Sequence, residues 1–451
     1  MERYEKYKDS GIEWIGEIPE GWEVKKLKYV ADANPSNIDK KSKNNENSAL
    51  LCNYVDVYKN EFISNELAFM KATASNDQIK KFILEKDDVI ITKDSETPDD
   101  IAAPALVAEN FDNVVCGYHL THIKPKEISG DYLFRYFQSQ YLSSYFEVSA
   151  NGVTRYGLSV DKINSALILN PPSPDQIAIA NYLDRKTAEI DELIAQKERL
   201  IELYEEEKTA IINQAVTKGI DPGVETQNFA SLRDSGIDWL GEIPEHWKLK
   251  RVATLGSFSK GKGIPRSDLK DNGYPAILYG DIYTKYNIKA DVILNHIDEE
   301  TTKSSVAIKK GNLLFTGSGE TQEDIGKCIT YCGNETVYAG GDVIILKQNK
   351  CNSLFLSYSL NSNTSIYQKA SMAKGQIIVH IYASNLREII FPFPPLTEQT
   401  AIVHHIETET ACIDAKIART KRIIELQKEY RTALISEVVT GKIKVTQEVA
   451  S

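Results

Sequence analysis

Residues 9–22 read DSGIEWIGEIPEGW and residues 234–247 read DSGIDWLGEIPEHW, with eleven of the fourteen positions identical. A second pair follows at nearly the same offset. PPSPDQIAIANYLDRKTAEIDELIAQKERLIELYEEEKTAIINQAVTKGI starts at Pro171, and PPLTEQTAIVHHIETETACIDAKIARTKRIIELQKEYRTALISEVVTGKI starts at Pro394. Gln176 then matches Gln399, Ile190-Asp191 matches Ile413-Asp414, and Glu202-Leu203 matches Glu425-Leu426. Self-similarity at a fixed long period marks a duplicated architecture, here with a unit of about 223 to 225 residues.

The material between these markers has diverged but still aligns. Lys86-Asp-Asp-Val-Ile-Ile-Thr92 sits opposite Lys310-Gly-Asn-Leu-Leu-Phe-Thr316, and Glu96-Thr97 opposite Glu320-Thr321. The pattern gives a leader over 1–22, a variable module over 23–170 and a helical segment over 171–222. A repeated leader over 223–247, a second module over 248–393 and a second helical segment over 394–445 follow.

Both helical segments carry mainly apolar residues alternately three and four apart, the spacing of a coiled-coil seam. In the first, Leu183, Ile190, Ile194, Lys197, Ile201, Tyr204, Lys208, Ile211 and Ala215 form that row; Ile413, Ile417 and Ile424 continue it in the second. Ser173 with Gln176 reads as a capping box, Thr397 with Gln399 as a looser one, and Gly219 and Gly441 as stops. Residues 175–217 make about 65 Å of helix at roughly 1.5 Å per residue. So long a stripe cannot be buried by one small module, so its expected partner is the equivalent helix, in an antiparallel pair that holds the two modules apart.

The modules have another texture. Ala49–Val57, Asp88–Thr92, Asn312–Thr316 and Asp342–Leu346 are short apolar runs between Gly, Asn and Asp and predict strands, while Asp131–Phe146 predicts helix. The expected class is α+β: a tandem duplication of a mixed α/β module followed by a long helix, the two helices pairing as an antiparallel coiled coil.

The chain has 451 residues, 42% of them apolar, and a net charge of −11, which excludes collagen, full disorder and a small disulfide scaffold. Six cysteines are too sparse for an oxidised framework. The charged start MERYEKYKDSG does not read as a signal peptide, and no apolar run reaches the length of a spanning helix, so a cytoplasmic location is expected. The acidic total hides a segregation. Residues 175–217 hold ten acids and five bases, whereas Lys248–Lys270 holds seven bases and one acid among Gly256, Gly261 and Gly263. Residues 25–43 repeat this weakly, with six lysines and two aspartates.

No enzyme signature is complete. Asn170-Pro171-Pro172-Ser173 lacks the aromatic residue of an amino-group DNA methyltransferase tetrad, and its counterpart Phe393-Pro394-Pro395-Leu396 lacks the Asn. Gly317-Ser-Gly-Glu320 and Gly261-Lys-Gly-Ile264 complete neither a phosphate loop nor a dinucleotide fingerprint. Cys328 and Cys332 read as idle thiols, His119 and His122 as structural, and Asp94, Glu96, Asp99 and Asp100 as a solvated loop rather than a metal site. Binding residues remain. Lys93, Asn151, Arg155 and Tyr156 in the first module, and Lys260, Lys262, Arg266, Tyr279, Lys374 and Gln376 in the second, are types that contact phosphates and base edges.

The chain resembles the specificity (S) subunit of type I restriction-modification systems. The likeness rests on the duplicated Gly-Ile-(Glu/Asp)-Trp-(Ile/Leu)-Gly-Glu-Ile-Pro-Glu leader, the Pro-Pro-x-x-(Asp/Glu)-Gln helix starts at Pro171 and Pro394, and Thr187-Ala188-Glu189-Ile190. It implies that each module is a target recognition domain reading one half of a bipartite site in double-stranded DNA. It further implies that the paired helices set the gap, that two methyltransferase (M) subunits dock on them, and that restriction/motor (R) subunits join for cleavage. Leu183, Ile190, Ile194, Ile201, Tyr204, Ile211, Ile413, Ile417 and Ile424 would serve pairing and docking, and Thr410-Ala411-Cys412-Ile413 departs from the first helix's Thr-Ala-Glu-Ile. No catalysis or cofactor is implied for this chain; S-adenosylmethionine, ATP and Mg would belong to partners. The alternatives are a self-sufficient methyltransferase or nuclease with fused recognition domains, and a coiled-coil scaffold without a nucleic-acid role.

Overall fold

The structure, a computed structural model, describes residues 2–220, 231–375 and 377–445. The chain divides into two compact units, Met1–Glu198 with Lys421–Ser451, and Arg199–Thr420. Each therefore holds one module, the start of the helix that follows it and the end of the other long helix.

In the first unit a five-stranded sheet runs in the order Ala31–Pro35, Leu120–Pro125, Val89–Thr92, Pro104–Val107, Phe62–Ile63. Val89–Thr92 is buried at every position, as a central strand covered on both faces requires. A smaller sheet orders Val114–Cys116, Asn47–Cys52 and Met70–Ala74. The second unit repeats the five-stranded order as Gly256–Lys260, Val343–Gln348, Leu313–Thr316, Cys328–Tyr331, Lys289–Ala290. Its smaller sheet has a fourth strand, Val306–Ile308, where the first unit has only the bridge Ile83–Val115.

Two local expectations need correction. The run Ala49–Val57 is a strand only to Cys52, and Tyr54–Lys59 is a helix. Asn53 ends the strand by capping that helix: its side chain accepts from the Val55 amide at 3.0 Å while Asp56 accepts from the Asn53 amide at 2.8 Å. Asp131–Phe146 is two helices, Gly130–Phe137 and Gln140–Ser149, the second starting after Ser139.

The long helices span Ser173–Lys218 and Leu396–Val439. Gln176 and Gln399 do not close capping boxes. Gln176 donates through Nε2 to the Pro171 carbonyl at 2.8 Å and accepts at Oε1 from the Ser129 amide at 2.7 Å; Gln399 does the same with Pro394 at 2.9 Å and Asn352 at 2.8 Å. A proline pair leaves the helix start with no amide to offer a cap, so the glutamine instead ties that turn to the module.

Within both units the two helices pair antiparallel. Arg431 bridges Asp191 at 2.9 Å in the first unit, and Lys208 bridges Asp414 at 2.6 Å in the second, equivalent pairs with the helices exchanged. Leu183, Ile190, Ile194, Ile413, Ile417 and Ile424 are buried; Ile201, Tyr204 and Ile211 are half-buried. The repeated leader joins both helix ends. Trp22, buried, donates from Nε1 to Asp175 at 3.1 Å and lies under Gly441, while Trp247 donates to Glu398 at 2.9 Å and lies under Gly219. In the first unit Arg135, fully buried on Gly130–Phe137, binds Asp184 at 2.7 Å and Glu61 at 3.2 Å, and Glu61 in turn binds Arg431 at 2.6 Å. Among the described residues no helix is long and apolar enough to cross a membrane.

One buried charge has no counterpart. Lys369 is fully buried, donates to the Gly326 carbonyl at 2.9 Å and occupies the position that Phe146 fills in the first unit. Burial lowers its pKa to about 8 from the usual 10.5. The unfolded chain thus binds the proton more readily between those values, so this residue opposes folding fully below pH 8 and the opposition fades as pH rises towards 10.5. The difference corresponds to about 3 kcal/mol. Lys369→Met is expected to stabilise the protein at pH 7 by roughly 1–2 kcal/mol after the lost carbonyl contact. Denaturant midpoints of both proteins from pH 7 to 10 should converge as pH rises.

Candidate nucleic-acid interface

Four sequence-predicted residues of the first module meet at one rim of the five-stranded sheet. Three segments are stitched there by backbone bonds: the Lys93 amide donates to the His119 carbonyl at 3.0 Å, and the Leu158 amide donates to the Lys93 carbonyl at 2.9 Å. Tyr156-Gly157 pairs with Asp94-Ser95, and Asn151 bridges Gly157 in both directions at 2.9 and 3.1 Å. Lys93 is half-buried; its ammonium donates to the Ser36 carbonyl at 3.2 Å and lies 4.3 Å from the Tyr118 ring centre. Burial lowers its pKa. Arg155 is exposed and binds Asp94 through Nη2 at 2.5 Å, while His119 Nδ1 lies 2.7 Å from the other Asp94 oxygen. Beside them a cleft of about 280 Å³ is lined by Lys40, Lys41, Tyr54, Tyr118 and His119 among others.

The second module builds the same rim from different residues. The Gly317 amide donates to the Asp342 carbonyl at 2.8 Å and the Ile381 amide to the Gly317 carbonyl at 3.0 Å, with Ser318-Gly319 paired to Val379-His380. Lys374 bridges His380 at 2.7 and 3.0 Å, as Asn151 bridges Gly157. Lys260, exposed, reaches Asp342 at 3.1 Å. The Lys262 amide donates to the Ala339 carbonyl at 3.0 Å, and Gly261 lies against the Ala339 and Gly340 carbonyls so closely that a Cβ would come within 2.0 Å of one. Arg266 and Tyr279 are exposed nearby, the Arg266 guanidinium reaching Gly280. Gln376 lies outside the described residues.

Charge and hydrogen-bonding capacity are thus concentrated where loops of three segments meet. Among the described residues no group of three or more His, Cys, Asp or Glu side chains could hold a metal ion. Asp94, one of the four acids of the first module's loop, is bound to a base and a histidine, and Cys328 is buried with its thiol pushed up to about 12. His122 is buried, 2.6 Å from Asp88, with Nδ1 unpartnered within the fold.

The family model for the type I restriction modification DNA specificity domain matches this chain twice, over residues 19–203 and 244–426. The chain belongs to the type I DNA specificity family. A putative type I restriction enzyme MjaX specificity subunit from Methanocaldococcus jannaschii is 22% identical over 96% of each chain. The fold is shared with a solved chain from a study of complex assembly and conformational transition of the type I R-M system, at TM-score 0.69 and 16% identity over 94% of this chain and 99% of that one. It is also shared with the HsdS subunit from Thermoanaerobacter tengcongensis, at TM-score 0.54 and 16% identity over 94% of this chain and 98% of that one.

Specificity-family membership sharpens what the sequence left aside at the rim. His119 and Asp94 read as a structural histidine and a solvated acid, yet both contact Arg155. Their separation along the chain hid this; the available signal was that Lys93-Asp94 directly follows the central strand and His119 directly precedes its neighbour. Tyr118, 49% exposed, and Tyr54 were also missed.

Both hairpin loops depend on a glycine. Gly152 has φ +153° and a Cβ there would meet the Arg155 carbonyl at 1.9 Å; Gly375 has φ +126° and would meet the Ile378 carbonyl at 2.0 Å. Gly375→Ala should therefore open the Lys374–His380 bridge, at a local cost of roughly 1–3 kcal/mol. Hydrogen exchange at the His380 amide is expected to quicken by about tenfold or more, while amides of Leu313–Thr316 keep their protection.

Proposed function

We propose that the chain is the DNA-reading subunit of a type I restriction-modification complex and performs no catalysis itself. The observation that carries this is the repetition of one rim, in a chain of the specificity family, with unlike side chains on like backbones: Asn151, Arg155 and His119 in one module, Lys374, Ile378 and Asp342 in the other. In this reading residues 23–170 and 248–393 are target recognition domains, each reading one half of a bipartite site in double-stranded DNA. Residues 171–222 and 394–445 are helical spacers setting the gap, and 1–22 and 223–247 are leaders bracing them.

The seam isoleucines serve helix pairing, and the frame they hold receives two methyltransferase subunits, through which restriction subunits join. S-adenosylmethionine, ATP and Mg act in those partners, and the assembly works in the cytoplasm beside the DNA. Lys260, Lys262, Arg266 and Lys374 are exposed cations suited to phosphates, and Tyr279 and Tyr156 to sugar or base contact. Lys93, engaged with Ser36 and Tyr118, shapes the rim from beneath.

Exchange of residues 248–393 for the second module of a relative tests the reading. Mapped methylation in cells carrying the exchange should show one half of the motif changed, with the other half and the gap retained. Change in both halves would refute independent readers. Phosphate contacts have a separate signature. Lys262→Ala should weaken binding to matched and mismatched duplexes alike and reduce the log–log salt slope by about one unit. A loss confined to matched DNA would assign Lys262 to base reading instead.

A further inference from the structure

The first module carries a side-chain relay that the second lacks. Asp94 is held at the end of the central strand, with one carboxylate oxygen 2.7 Å from His119 Nδ1 and the other 2.5 Å from Arg155 Nη2. An ionised carboxylate only accepts, so the His119 Nδ1 carries the proton and the ring is oriented by the bond. The Asp94 side chain is 16% exposed and Arg155 is 56% exposed: the carboxylate is sunk in the rim and the guanidinium stands out of it. Asp94 takes one Nη2 hydrogen; His119 Nδ1, 3.3 Å from Nη2, is itself a donor and takes none, so the second Nη2 hydrogen is left beside Nε and Nη1, which have no hydrogen-bond partner among the described residues. In the second module the equivalent positions are Ser318, Asp342 and Ile378, which cannot form this arrangement.

The hairpin that presents Arg155 is rigid where it must be. The paired bonds between Asn151 and Gly157, the pairing of Tyr156 with Ser95 and the close turn at Gly152 fix the backbone on both sides of it. Val153, 91% exposed, sits at the same tip. A planar guanidinium pre-oriented by a carboxylate with part of its donor fork free is built for a bidentate acceptor pair. Among base edges, guanine presents that pair, O6 and N7, in the major groove.

We infer that Arg155 is the residue with which the first module reads a guanine, and that Asp94, steadied by His119, positions it. The inference rests on the DNA-reading function proposed above. Arg155 makes the base contact; Asp94 and His119 act through it. Lysine in place of Arg155 keeps the charge and loses the fork, and asparagine in place of Asp94 keeps the shape and loses the ionic hold.

The test uses the full chain with its own partners, by mapping methylated bases in the source cell carrying wild-type, deleted, R155K or D94N alleles. Deletion should abolish one methylated motif; methylation that persists unchanged in the deletion strain would overturn the DNA-reading function and this inference with it. With that function standing, R155K should give the same motif relaxed at a single guanine in one half. Discrimination there is expected to fall roughly ten- to hundredfold. D94N should relax the same position by a smaller factor. An unchanged motif in R155K, a relaxed base other than guanine, or uniform loss of methylation across both halves would overturn the assignment.

Discussion

The antiparallel exchange of helix ends is the constraint on which the other features depend. A helix of 46 residues cannot cover its apolar stripe against one module, and residues 199–218 accordingly belong to the unit built around the second module, just as residues 421–439 belong to that built around the first. Each borrowed end is recognised by equivalent chemistry. The Gln140 amide donates to Ser436 at 2.9 Å in one unit and the Asn363 amide to Asn213 at 2.7 Å in the other. The crossed pairs Asp191–Arg431 and Lys208–Asp414 do the same for charge. Exposed ion pairs contribute little, about 0–1 kcal/mol, so the buried isoleucines supply the stability and these polar contacts select the register.

That division explains which residues the two halves share. The leader tryptophans touch the start of one helix and the end of the other at once, so a change at Trp22 or Trp247 disturbs two elements together. The rim residues are under no such demand. Their backbones are fixed by amide-to-carbonyl stitching that most side chains permit, and it is glycines such as Gly152, Gly261, Gly263 and Gly375 that are bound to a residue type by conformation or close approach. A scaffold of that kind allows the exposed rim residues to vary at little cost to folding.

Much of this was legible in the sequence because duplication prints the same pattern twice. The central strands, the long helices and their antiparallel pairing followed from period and length. Residue-level errors arose where a side chain, not periodicity, decided the outcome. Asn53 turned an apolar run from strand to helix, and Gln176 and Gln399 abandoned the cap for a module amide that lies 47 residues away in both halves. The Asp94–His119–Arg155 contacts join residues 25 and 61 positions apart, a juxtaposition that strand order creates and composition does not record. Lys369, buried at a position its counterpart fills with Phe146, was equally invisible, since a lysine in a helical stretch ordinarily reads as solvated.

The acidic total is compatible with a polyanionic partner once distance is considered. Field from exposed charges is screened within about 8–10 Å at physiological ionic strength, so the ten acids of residues 175–217 act chiefly on their own surroundings. Part of that acidity is also consumed locally: Asp184 by Arg135, Asp191 by Arg431 and Glu189 by Lys186. At the rim of the second module the balance differs. Lys262, Arg266 and Lys374 carry no ion pair among the described residues, and Lys260 has only the exposed Asp342, so cationic surface is left exposed there.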